Sequence, residues 1–170
     1  MRKDDASLPE VTIYVEGNKK GNPHSEYSEY LLYKETFDKP DVITQEKRGG
    51  INEREISIAF PQSDNMDNAG KIFAYLPVRS DTGLPFLINA DFILTSSRED
   101  IKNNLSWNLW LMNCVGEIVA KSMQKLKIKE RLTVELLEMI TSRVTDFEPG
   151  SIYYPIAKSV KRILTEDELL

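Results

Sequence analysis

Two hydrophobic periods divide the chain. From Val11 to Glu16 (VTIYVE) apolar and polar positions alternate, the period of a strand with one buried face, until Gly17-Asn18-Lys19-Lys20-Gly21-Asn22-Pro23 interrupts it with turn formers. Tyr27 to Phe37 is dense in Tyr, Leu and Phe and stops at Asp38-Lys39-Pro40, where a proline cannot continue an interior ladder. Asp41 to Asn52 is polar and contains Gly49-Gly50, which predicts a long exposed loop. Period two returns in Glu55 to Phe60 (EISIAF) and Lys71 to Leu76 (KIFAYL), which reads as a hairpin with a long loop rich in Asp and Asn. Thr82-Gly83-Leu84-Pro85 turns the chain into Phe86 to Leu94 (FLINADFIL), apolar on both faces except at Asn89 and Asp91, as a central strand should be.

After Arg98 the period lengthens. Trp107, Trp110, Leu111, Cys114, Val115, Ile118, Val119, Met123 and Leu126 recur at the spacing of an amphipathic helix, with Asn104 or Ser106 as its N-cap. A second helical pattern lies at Leu132, Leu136, Leu137 and Ile140. A third runs from Ile152 to Ile163, separated from the second by Phe147-Glu148-Pro149-Gly150. Five strands followed by three helices predict an α+β fold: a mixed or antiparallel sheet of about five strands packed by C-terminal helices. Residues 1–126 form the core in this reading and 127–170 a helical extension.

Composition adds limits. A chain of 170 residues with 41% hydrophobic content can bury one core. The net charge of −5, from 22 basic and 27 acidic residues spread along the sequence, creates no field for nucleic acid or an anionic membrane, so neither is an expected partner. Cys114 is the single cysteine, which excludes an internal disulfide and a multi-cysteine zinc site. No run reaches the roughly eighteen apolar residues that span a bilayer, and the start, Met1-Arg2-Lys3-Asp4-Asp5, leads into no apolar stretch, so the expected compartment is cytoplasmic.

Most candidate chemistry reads as structure. Asp81-Thr82-Gly83 matches an aspartic-protease tripeptide, but Arg79 and Ser80 precede it and Leu84-Pro85 follow, the chemistry of a turn. Gly17-Asn18-Lys19-Lys20-Gly21 lacks the Gly-Lys-Ser/Thr ending of a phosphate cradle. His24 is the single imidazole and reads as a surface residue; Cys114 lies on the apolar helix face as an inert thiol. Lys121, Lys125, Lys127, Lys129 and Arg131 suit the negative end of a helix dipole, and Trp107 and Trp110 read as core or interface anchors. In Thr95-Ser96-Ser97-Arg98-Glu99-Asp100-Ile101, Ser96 or Ser97 with Asp100 reads locally as a capping box at a helix start. Arg98 there lies between a buried strand and a helix, where a scaffold can hold a guanidinium whose tip faces outward.

A longer match surrounds that arginine. Ile72-Phe73-Ala74-Tyr75-Leu76-Pro77, Thr82-Gly83-Leu84-Pro85-Phe86-Leu87-Ile88-Asn89-Ala90-Asp91-Phe92, Thr95 to Ile101, and Trp107-Asn108 with Leu111 resemble the region that follows the nucleotide-binding domain in sacsin-like proteins. Those proteins are similar to the heat-shock-ninety chaperones, whose ATP site lies in a GHKL domain followed by a middle domain. The resemblance implies a middle-domain-like fold and a preceding GHKL domain as partner. ATP and Mg²⁺ are implied for the longer protein, and no cofactor in this chain. In the chaperones a Ser-Arg-Glu element reaches the γ-phosphate; Ser97-Arg98-Glu99 matches it, which implies that Arg98 stabilises charge on the transferring phosphate. The chaperones carry an asparagine before and a glutamine after that arginine where this chain has Thr95 and Lys102, so Arg98 alone carries over as a catalytic residue. By itself the chain is expected to be catalytically silent. The competing expectation is a non-enzymatic interaction module for a protein client or a second copy.

Overall fold

The computed structural model describes residue 8 and residues 10–17, 26–45, 48–62 and 70–166. Six strands come first: β1 (Glu10–Gly17), β2 (Glu26–Asp38), β3 (Glu53–Pro61), β4 (Lys71–Ala74), β5 (Leu76–Asp81) and β6 (Leu87–Asn89). Three helices follow: α1 (Ser106–Ile128), α2 (Val134–Val144) and α3 (Tyr154–Glu166). The architecture is α+β, with a mixed sheet in the order β1-β2-β3-β6-β4-β5.

The alternating segments became strands for the reason their pattern suggests. Ile56, Ile58 and Phe60 share the β3 face that α1 covers, in register with Glu35, Tyr33 and Leu31 of β2. Phe60 sits between Tyr33 and Phe86, with ring centroids 6.1 and 5.3 Å away. Such aromatic pairs add about 1 kcal/mol beyond the area they bury.

Three strand expectations need correction. Glu55–Phe60 and Lys71–Leu76 do not form a hairpin: β6 lies between β3 and β4, antiparallel to the first and parallel to the second. The run Lys71 to Leu76 is itself folded back at Tyr75, whose φ of 65° is rare for an aromatic residue, and Ala74 pairs with Leu76 across the turn. The central strand read over Phe86–Leu94 is interior, but only Leu87–Asn89 is strand, with Ile88 and Asn89 paired on both sides. The Ala90 N–H still donates to the Phe73 carbonyl of β4 at 3.1 Å, and beyond it the chain turns away to α1, where Trp107 bonds the Asp91 carbonyl and Asn108 the Ile93 N–H.

The predicted helical stripe is buried throughout α1, from Trp107 to Leu126. Neither Asn104 nor Ser106 caps it; Leu105 occupies the N-cap position without a side-chain bond. Gly116 also lies inward. A Cβ there would sit 2.8 Å from the Pro155 carbonyl oxygen and from the Ser159 hydroxyl, so its missing side chain allows α3 to cross α1 closely. Ile156, Val160 and Ile163 of α3 thereby join the same buried cluster as the sheet. Thr133 caps α2 by accepting from the Leu136 N–H at 3.2 Å.

The basic run has a more specific use than complementing a dipole. Lys121 bonds Glu35 of β2, and Lys125 donates to the Leu8 carbonyl. Lys129 and Arg131 reach Glu10 of β1 at 2.8 and 3.3 Å, while the buried Tyr33 hydroxyl donates to the same carboxylate at 2.9 Å. The end of α1 is thus latched to the edge strand. Burial would raise the Glu10 carboxyl, but the bonds from Lys129 and Tyr33 and the charges of Lys129 and Lys125 outweigh it and hold it below its ordinary value.

Candidate functional site

The segment matched to Ser-Arg-Glu is a hairpin standing between the sheet and α1. Its two arms meet where the Lys102 N–H donates to the Ile93 carbonyl at 3.0 Å, Leu94 bridges Ile101, and the Thr95 N–H donates to the Asp100 carbonyl at 2.8 Å. The Arg98 N–H closes the turn onto the Thr95 carbonyl at 2.9 Å. Arg98 therefore stands at the tip, with φ 58° and an exposed side chain. Its guanidinium has no partner among the described residues.

This arrangement corrects the capping-box reading. Asp100 does not close a helical turn begun by Ser96 or Ser97. Its Oδ1 accepts from the Ile101 N–H at 2.7 Å and from the Ser80 hydroxyl at 3.2 Å, and the helix begins only at Ser106. A short polar side chain satisfies turn backbone as readily as helix backbone, so the local signature could not separate the two. Further bonds stitch the hairpin to β5: the Ser80 N–H donates to the Glu99 carbonyl at 3.0 Å, and Arg79 pairs with the Glu99 carboxylate at 2.8 Å.

Below the hairpin lies a charge cluster that the sequence reading did not find. Arg48 grips the buried Asp91 carboxylate with two parallel bonds of 2.8 and 2.7 Å, and Arg54 adds a third of 2.8 Å. Both guanidinium groups lie against Trp107, at 5.9 and 5.8 Å from its ring centroid, and the indole N–H donates to the Asp91 carbonyl at 2.9 Å. Paired charges of opposite sign, with one ring against both cations, make burial of Asp91 tolerable. The loop Asp41–Asn52 is therefore not simply exposed: Arg48 returns into the structure, and Ile43 and Ile51 pack on the core. The available signal was Asp91 itself, a carboxylate in an apolar run that needs a partner.

Asn108 is the second polar group on the buried face of α1. Its Oδ1 accepts from the Ile93 N–H at 2.9 Å, and its Nδ2 donates to the Ile93 and Lys102 carbonyls at 2.7 and 2.9 Å. One fully buried side chain thus holds both arms of the hairpin stem. The start of α3 lies close enough for Asp100 to be felt at Tyr153, whose hydroxyl is pushed up to about 12, first by burial and then by that negative charge.

The remaining candidates fall outside this site. Asp81-Thr82-Gly83 is a turn: the Gly83 N–H donates to Asp81 Oδ1 at 3.0 Å, Gly83 has φ 67°, and the Thr82 hydroxyl donates to the Gly70 carbonyl at 2.9 Å. Cys114 is buried, and burial together with Glu117 pushes its thiol up to about 12. Trp110 packs edge-on against Trp107 at 5.2 Å, inside the core. His24 and residues 18–21 of the glycine-lysine segment lie outside the described residues. Among the described residues no three His, Cys, Asp or Glu side chains form a metal-binding group, and no helix is long and apolar enough to cross a membrane.

Fold and site define an α+β domain whose mixed sheet and long helix together mount a hairpin with an arginine at its tip. Over 73 compared residues it is 41% identical to Protein NO VEIN of Arabidopsis thaliana, covering 39% of this chain and 3% of that protein. The chain thus spans only a small part of the length of this curated relative. No protein-family model and no solved structure matches.

Proposed function

We propose that this chain is the middle, ATPase-coupling segment of a larger GHKL-type protein of the sacsin and heat-shock-ninety kind, working in the cytoplasm. Arg98 would be presented to nucleotide held by a preceding domain, and ATP and Mg²⁺ belong to that domain. The observation that carries this reading is the contrast at the hairpin: an exposed guanidinium, unpartnered among the described residues, stands on a stem held by the buried Asn108 side chain. A cation left unpaired on a fixed backbone is available to stabilise developing phosphate charge, the part an arginine from a second domain plays in phosphoryl transfer. The partial likeness to a far longer protein supports a segment origin.

The test compares the segment alone with the longer protein. This 170-residue chain should neither bind ATP at micromolar concentration nor hydrolyse it. In the longer protein, Arg98→Ala should lower kcat by roughly a hundredfold or more with KM for ATP little changed, as loss of a transition-state contact does. Unchanged turnover in that variant would overturn the reading. It would favour the second one, a protein-interaction module, for which Tyr75 and Leu76 give a specific reason: they are 79% and 69% exposed at the strained β4-β5 turn. An apolar pair held outward at a sheet corner suits a client protein or a second copy.

A further inference from the structure

We propose that Asn108 is the positioning residue for Arg98, coupling the placement of the hairpin to that of α1; the inference rests on the arginine reading above. A hairpin that must place a guanidinium within a fraction of an ångström needs its orientation fixed at the stem, because errors there are magnified at the tip. The Lys102-to-Ile93 bond and the Leu94-Ile101 bridge join the two arms to each other, and Arg79 and Ser80 hold the returning arm to β5, but none of these bonds ties the stem to α1. Asn108 supplies that tie. Its amide fills the stem from the helix side and meets the N–H and carbonyl of Ile93 and the carbonyl of Lys102.

The geometry also specifies the residue type. The site needs one acceptor and two donated bonds from a planar group at one level of the helix, which an asparagine amide supplies and an aspartate or an aliphatic residue does not. Trp107, one residue earlier, fixes the chain at Asp91 in the same way, so the first turn of α1 holds the start of the connection and the stem together. A shift of α1 would move both attachment points and therefore Arg98. None of the three groups bonded by Asn108 belongs to β1, β2 or β3, so its loss should loosen the hairpin without opening those strands.

Two measurements test this. The first is amide exchange in the present chain. Asn108→Ala should speed exchange at Ile93, Thr95, Arg98 and Lys102 by about tenfold or more while the amides paired between β2 and β3 keep their protection, because local opening is separable from global unfolding. Asn108→Ser, which brings no buried charge and is too short to bond both arms at once, should do the same and serves if the alanine variant does not fold. The second is turnover in the longer protein, where Asn108→Ala should lower kcat by roughly tenfold or more with KM for ATP unchanged. Asn108→Ala combined with Arg98→Ala should be no slower than Arg98→Ala alone. If Arg98→Ala slows turnover but Asn108→Ala leaves both kcat and hairpin exchange as they were, the positioning role is wrong while the arginine reading stands. Faster exchange spread evenly over the sheet would also overturn it, as that is the mark of lost stability alone. No effect of Arg98→Ala on turnover removes the arginine reading and this inference with it, even where the hairpin loosens.

Discussion

Between Asp91 and Arg98 the chain passes from a buried carboxylate that accepts bonds from two arginines to an exposed guanidinium with no partner among the described residues. The first region has its polar groups matched at close range inside low-dielectric surroundings, where an unmatched group is costly. The second is left open where water solvates the charge at no cost to the fold. Matching at the base and openness at the tip separate the work of holding from the work of contact. Substitutions in the two regions should therefore fall at opposite ends of a stability scale.

The largest expected effect is at the base. Asp91→Ala leaves Arg48 and Arg54 without their shared carboxylate beside Trp107 and should destabilise the chain by about 3–5 kcal/mol, read as a lowered urea midpoint. A change below about 1 kcal/mol would mean that the arginines find water or another partner, and would erase the distinction between base and tip.

The Glu10 latch should lie between these limits, since its carboxylate is mostly buried while Lys129 and Arg131 are half-exposed. Glu10→Gln should cost about 1 kcal/mol. Because its carboxyl is held below the ordinary value of 4.5, the latch contributes fully above that value and is lost as the pH falls through the depressed folded value. Acid titration of unfolding should show that loss in the parent and not in Glu10→Gln; identical profiles would remove the latch from the account.

The smallest effect is expected at the tip. Arg98→Ala removes an exposed group with no described partner and should change unfolding stability by no more than about 0.5 kcal/mol. A larger loss would show that the guanidinium supports the fold, and so would blur the contrast on which the proposed function rests.

The parts legible in the sequence were those whose cause is local. Period two located β1 and β3, and the three-four spacing located α1 and the start of α2, since burial of one face leaves a repeating mark. The order of strands left no such mark. Insertion of β6 between β3 and β4 depends on tertiary packing, and the reversal at Tyr75 uses neither glycine nor asparagine. The place of Arg98 between strand and helix was readable locally, but its proposed role toward phosphate came only through resemblance. Its supports were not readable, because Arg48 and Arg54 lie 43 and 37 positions from Asp91, and a long-range ion pair has no period. Asn108 was readable in principle as an amide at a buried helical position, where a polar group must find partners.

The latch between Glu10 and Lys129 joins positions 119 residues apart, and that separation matters while the chain is being synthesised. At ribosomal speeds, Lys129 follows Glu10 by on the order of ten seconds. β1 and β2 can pair as soon as both have emerged, but the face of β2 and β3 bearing Leu31, Tyr33, Ile58 and Phe60 stays uncovered until α1 arrives. The nascent sheet must wait with its apolar side open, which makes this interval the period when a chaperone or a neighbouring chain has most to bind.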